Sequence, residues 1–121
     1  MTARNRLQEL TPAAVHEALE ANRILLVDVR EPNEYAAQRI PGAVLMPLST
    51  FDPSVLPSPD VRDVVFHCKA GSRSAKAVEK CLARGVAHTT HLAGGIDAWK
   101  AARLPTIPPS SSFVSGLFGR R

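Results

Sequence analysis

The chain has 121 residues, 45% hydrophobic and 21% charged, a composition that fits one globular domain and excludes wholesale disorder or a fibrous repeat. It has no run of about 18 apolar residues, so no membrane span is expected. The charge balance is 15 Lys and Arg against 11 Asp and Glu, net +4, but the charges are scattered and form no basic face for nucleic acid.

The opening MTARNRLQEL lacks the continuous apolar stretch of a secretory leader. Two cysteines make no disulfide framework, so both are expected to be reduced in a cytoplasm. Thr11 reads as an N-cap with Pro12 in the first helical position, where its missing N–H costs nothing. Val15, Ala18 and Leu19 form the inward stripe of this helix, and Asn22 ends it.

Ile24 to Val29 is a short apolar run, which reads as a strand buried on both faces of a parallel sheet. Val61 to Phe66, His88 to Leu92 and Ala43 to Leu45 read as further strands. Helices are expected over Pro32 to Ala37, Ser74 to Arg84 and Ile96 to Ala102. In the second of these, Ala77, Val78, Cys81 and Leu82 share one face, and Gly85 follows as a terminator. Gly94-Gly95 turns the chain into the last helix, with Ile96 and Trp99 facing inward. Strands alternating with helices at this spacing give an α/β domain with a mostly parallel sheet.

After Leu104 the chain turns rich in Pro and Ser, which places a boundary near residue 106. The domain is expected to occupy 1–106 and a linker with a short amphipathic tail 107–121. The tail carries Phe113, Val114, Leu117 and Phe118 at helical spacing, then Arg120 and Arg121.

The segment that carries chemistry is His67-Cys68-Lys69-Ala70-Gly71-Ser72-Arg73, between a buried strand and a helix. In open α/β sheets ligands bind at the carboxyl ends of the strands. The small residues Ala70, Gly71 and Ser72 let the backbone curl, so that successive N–H groups form an anion nest. Lys69 and Arg73 add positive charge, and the helix that follows presents its positive end. All three favour thiolate over thiol, which describes an activated sulfur nucleophile in a pocket for an anion. Cys81, on the apolar stripe, reads instead as core. His67 either packs at the strand end or tunes Cys68. His16, His88 and His91 have no metal-ligating company.

Four segments in register resemble the rhodanese-like domain family: Asp28-Val29-Arg30-Glu31-Pro32-Asn33-Glu34-Tyr35, Ile40-Pro41-Gly42-Ala43, Cys68 to Arg73, and Leu92-Ala93-Gly94-Gly95-Ile96-Asp97-Ala98-Trp99. The resemblance implies one α/β domain, a five-stranded, mostly parallel sheet with helices on both faces. It implies a sulfurtransferase in which Cys68 takes a sulfane sulfur from thiosulfate or a persulfide and passes it to a thiol or to cyanide. Lys69, Ala70, Gly71, Ser72 and Arg73 would cradle the outer sulfur, and Asp28 and Arg30 would brace the loop. No metal or organic cofactor is implied. The partners would be a small anionic donor and a thiol acceptor, with a sulfur-relay protein as a variant.

Three departures from the family pattern bear on the donor. Gln38-Arg39 stands where Gly-His is usual, and a left-handed Gln38 would cost about 1 kcal/mol. Ala70 stands where the thiosulfate-active two-domain members have a basic residue, and Glu34 where they have arginine. Both remove positive charge from a sulfonate's place and favour a persulfide donor. Two rival readings stay open: an arsenate reductase or phosphatase of the same fold, and a docking module without catalysis. The phosphatase loop is one residue longer than the five positions from Cys68 to Arg73, and inactive members lack the cysteine.

Overall fold

The computed structural model describes residues 7–108. In chain order it has β1 (Gln8–Leu10), α1 (Pro12–Glu20), β2 (Ile24–Asp28), α2 (Pro32–Ala37), β3 (Val44–Leu45), β4 (Asp63–His67), α3 (Ser72–Ala83), β5 (Thr90–Leu92) and α4 (Gly95–Ala101). Two short 3-10 turns, Leu48–Thr50 and Pro53–Val55, bridge β3 and β4. The five strands lie in the order β1-β5-β4-β2-β3, and every pairing is parallel.

Alternation along the strands divides the core in two. Leu26, Val65 and Leu92 face α1 and α4, where they meet Val15, Ala18, Ile96 and Trp99. Val27, Val64 and Phe66 face α3, where they meet Ala77, Val78 and Cys81. Helices therefore cover both faces of the sheet, the arrangement that parallel strands require. The Thr11 hydroxyl caps α1 by accepting from the Ala14 N–H at 3.1 Å.

The structure corrects the expected elements at their edges. Val61 is 77% exposed and lies before β4, and His88 and Thr89 lie before β5. Strand β1 was not expected from its residues. Gln8 and Glu9 are exposed on an edge strand, and two polar residues in three carry no apolar alternation for a pattern to register. Gln38 ends α2 in extended backbone, with φ at −167°, so the cost of a left-handed residue does not arise.

Arg39 and Ile107 pair through two backbone hydrogen bonds of 3.1 and 2.7 Å, and the Trp99 indole donates to the Pro105 carbonyl at 2.8 Å. The tail residues Phe113, Val114, Leu117, Phe118, Arg120 and Arg121 lie outside the described residues. Among the described residues no helix is long and apolar enough to cross a membrane.

Candidate active site

Strand β4 ends at His67, in the centre of the sheet, and Cys68 is the next residue. The chain then turns through Lys69, Ala70 and Gly71 into α3. Gly71 sits at a φ of +123°, a backbone conformation that side chains disfavour, and this bends the loop back over the sulfur. The Gly71 N–H donates to Cys68 Sγ at 3.1 Å and the Ser74 N–H at 3.4 Å.

The loop's carbonyls turn the other way. The Cys68 and Lys69 carbonyls accept from the N–H groups of Ile96 and Asp97, at 2.9 and 3.0 Å. The first turn of α4 therefore pins the outer side of the loop. N–H groups are left to face the sulfur, as the sequence predicts. Gly95 makes this approach possible, because a Cβ there would lie 2.5 Å from both carbonyl oxygens.

Cys68 is 1% exposed, with Phe66, Ala77 and Val78 in the hydrophobic cluster beside it. Burial pushes its thiol up. Hydrogen bonds from the Ser74 hydroxyl and from the N–H groups of Ser74, Gly71 and Arg73 push it down and prevail, so the thiol lies below its ordinary value. Cys81 has no such donors, and burial alone pushes it up to about 11.

Neither loop cation turns its charge on the sulfur unopposed. The Lys69 ammonium is 63% exposed and meets Asp97 at 2.9 Å. The Arg73 guanidinium makes two parallel hydrogen bonds to Glu34, at 2.7 and 2.9 Å. Ala70 and Ser72 are exposed.

Asp28 and Arg30 form a buried pair at the carboxyl end of β2, beside His67. Arg30 Nη2 donates to Asp28 Oδ2 at 2.7 Å, and Arg30 Nε reaches both carboxylate oxygens. The same Nη2 donates to the Gln38 carbonyl at 2.7 Å, which ties the end of α2 to the end of β2. Asp28 lies opposite His67 in the β2–β4 register, with Nε2 at 3.4 Å from Oδ2. His67 Nε2 makes no aligned hydrogen bond among the described residues, while its Nδ1 lies 3.1 Å from the Cys68 carbonyl. Burial holds this imidazole below its ordinary value.

Sequence reasoning missed two residues here. Ser74 Oγ lies 3.6 Å from Cys68 Sγ and 2.6 Å from His91 Nδ1. His91 sits on β5, facing α3, next to Leu92 which faces the opposite side. The signal was a histidine beside the single apolar residue, Leu92, of a short polar strand, and it carries meaning only once β5 is known to lie beside α3.

The comparisons with known proteins agree with this fold. A family model described as the rhodanese-like domain matches residues 11–102. An uncharacterised protein of Synechocystis is 35% identical over 106 residues, covering 88% of this chain and 59% of the relative. A sulfurtransferase of Allochromatium vinosum is 37% identical over 86 residues, covering 71% of this chain and 80% of the relative. The crystal structure of a rhodanese-related protein from Thermoplasma volcanium superposes with a TM-score of 0.71 at 25% identity, covering 83% of this chain and 97% of that one. With the all-parallel five-stranded sheet and a loop of N–H groups around Cys68, these matches establish that the chain belongs to the rhodanese-like domain family.

Proposed function

We propose that the protein is a sulfurtransferase that carries a sulfane sulfur on Cys68 as a persulfide. The observation that carries this reading is the convergence of the Gly71 and Ser74 N–H groups on Cys68 Sγ at the carboxyl end of the central strand. Such donors stabilise an anionic sulfur before any substrate arrives. In the first half-reaction the Cys68 thiolate attacks the outer sulfur of the donor. A new S–S bond forms, the donor's own bond to that sulfur breaks, and its electron pair leaves with sulfite or a thiolate. In the second, a thiol, a relay protein's thiol or cyanide attacks the outer sulfur, and the bonding pair returns to Cys68.

Because Arg73 is paired with Glu34, and Lys69 with Asp97, little unpaired positive charge faces a sulfonate. A persulfide is therefore the better donor and thiosulfate the poorer one. Residues 1–106 are the unit that does this chemistry, and 107–121 take no part in it.

The test is intact-mass analysis after incubation with thiosulfate and, separately, with glutathione persulfide. A gain of one sulfur atom, lost in Cys68→Ser, is expected, with more complete loading from the persulfide. No gain from either donor would overturn the reading and move the experiment to arsenate and phosphate esters.

A further inference from the structure

We infer that Cys68 gives up its proton through Ser74 to His91, whose far side is held by Glu9. The inference rests on the sulfur-carrier reading above and adds a route for the proton. Cys68 is 1% exposed, so a chain of polar side chains offers its proton a shorter path out than bulk water does. One continuous chain of polar atoms leads away from the sulfur. Cys68 Sγ lies 3.6 Å from Ser74 Oγ, which lies 2.6 Å from His91 Nδ1, and His91 Nε2 lies 2.9 Å from Glu9 Oε2. The His91 side chain is 4% exposed and that of Glu9 is 60% exposed, so the chain runs from the buried sulfur to solvent.

Donor counting gives the chain its direction. An ionised carboxylate can only accept, so the Glu9 contact places a hydrogen on His91 Nε2. In the neutral imidazole Nδ1 is then an acceptor, and the single Ser74 hydroxyl hydrogen goes to it at 2.6 Å rather than to the Gly71 carbonyl, the longer acceptor at 3.1 Å. Ser74 Oγ is left to accept from the Cys68 S–H. When the S–H proton passes to Ser74 Oγ, the Ser74 proton passes to His91 Nδ1. The products are a thiolate and an imidazolium, and no electron is gained or lost. The hydrogen bonds then reverse. His91 Nδ1–H donates to Ser74, and the Ser74 hydroxyl donates to the new thiolate. One proton transfer thus makes the nucleophile and turns Ser74 into a further donor around it.

The groups facing this route are few. Glu9 approaches His91 from β1, Ser74 from α3, and Phe66 is its register partner on β4. A Cβ on Gly71 would lie 3.7 Å from the imidazole Cε1, so the ring borders the loop itself. The loop cations Arg73 and Lys69 are each paired with a carboxylate. His91 acts through Ser74, as a positioning residue.

The test is the rate of Cys68 alkylation by iodoacetamide against pH, on the full chain, with the modified site located by peptide mass. This reads thiolate without any sulfur donor. In His91→Gln the midpoint is expected to move up, so that alkylation at pH 7 slows roughly tenfold. Ser74→Ala should slow it as much, and Glu9→Gln less, because the amide oxygen still accepts from Nε2–H. The conservative Glu9→Asp should recover part of the loss. Circular dichroism and the Cys81 signal check that each variant folds, and Glu9→Gln serves if the buried substitutions fail. Wild type and variants with superimposable profiles would overturn the relay. If sulfur loading succeeds while the profiles superimpose, the relay falls and the sulfur-carrier reading stands. If loading fails while the profiles separate, the reverse holds.

Discussion

The Arg73 guanidinium is clasped fork to fork by the Glu34 carboxylate, at 2.7 and 2.9 Å, although the two residues lie on different helices. The Arg73 hydrogen bonds hold the Glu34 carboxyl at about 2, so the carboxylate stays ionised through the neutral and mildly acidic range. The arginine that the sequence offers as part of the anion cradle is thus neutralised from the side. The glutamate responsible is the one that departs from the arginine of the thiosulfate-active family pattern.

Glu34→Gln should therefore act on the donor. Arg73 would keep one neutral partner and regain its charge toward the loop. The KM for thiosulfate is expected to fall several-fold, with a smaller change for glutathione persulfide, since an exposed charge is screened and acts modestly. Steady-state rates with the two donors decide it. An unchanged thiosulfate KM would mean that the Arg73 charge does not reach the donor.

This pair marks where the sequence stops being readable. Contiguous segments were legible because local rules govern them: the Thr11 cap, the stripe of α3 and the Cys68 loop each lie within a dozen residues. The site's polar wiring joins residues far apart in the chain. Glu34 meets Arg73, Gln38 accepts from Arg30 through its carbonyl, and Ser74 meets His91, which meets Glu9. Those contacts depend on strand order, and β1, which contributes Glu9, carries no apolar alternation. Asp28 and Arg30 were readable as a pair two residues apart. That they are buried against His67 follows from the β2–β4 register, which no local pattern encodes.

His67 gives the stability a pH slope of definite sign. Burial holds its folded-state imidazole below the unfolded value near 6.5. The unfolded chain takes up the proton first as pH falls, so stability is fully present above 6.5 and declines below it. Urea midpoints between pH 7.5 and 5 should drop in the wild type and drop less in His67→Gln. That window lies above the range in which Glu34 protonates. Parallel midpoints in the two proteins would remove His67 as the source.

Cys81 separates packing from chemistry. It is fully buried against Ala77, Val78 and Phe66, with no hydrogen-bond donor to lower its thiol. Cys81→Ser sets a hydroxyl in that cluster and should cost ~1–3 kcal/mol of stability. Sulfur loading on Cys68 should be unchanged. Denaturant unfolding and intact mass read the two effects separately. A loss of loading in a folded Cys81→Ser protein would show that the second thiol takes part in the reaction.

Gly95 carries the sharpest steric prediction, and Gly85 is its control. Both have positive φ, +61° and +73°, so alanine at either carries a backbone strain of about 1–2 kcal/mol. At Gly85 a new Cβ meets nothing within 4 Å. At Gly95 it meets the Cys68 and Lys69 carbonyl oxygens at 2.5 Å, which are backbone and cannot swing aside. Gly95→Ala must push α4 off the loop and break the hydrogen bonds from Ile96 and Asp97 that turn those carbonyls outward. Freed carbonyls can rotate toward the sulfur and oppose a negative charge there. Gly85→Ala should lose stability alone. Gly95→Ala should lose similar or greater stability and, where folded, at least tenfold in persulfide loading rate, with the Cys68 alkylation midpoint moved up. Equal loading rates in the two variants would show that the outer carbonyl clamp is not what keeps the N–H groups on Cys68.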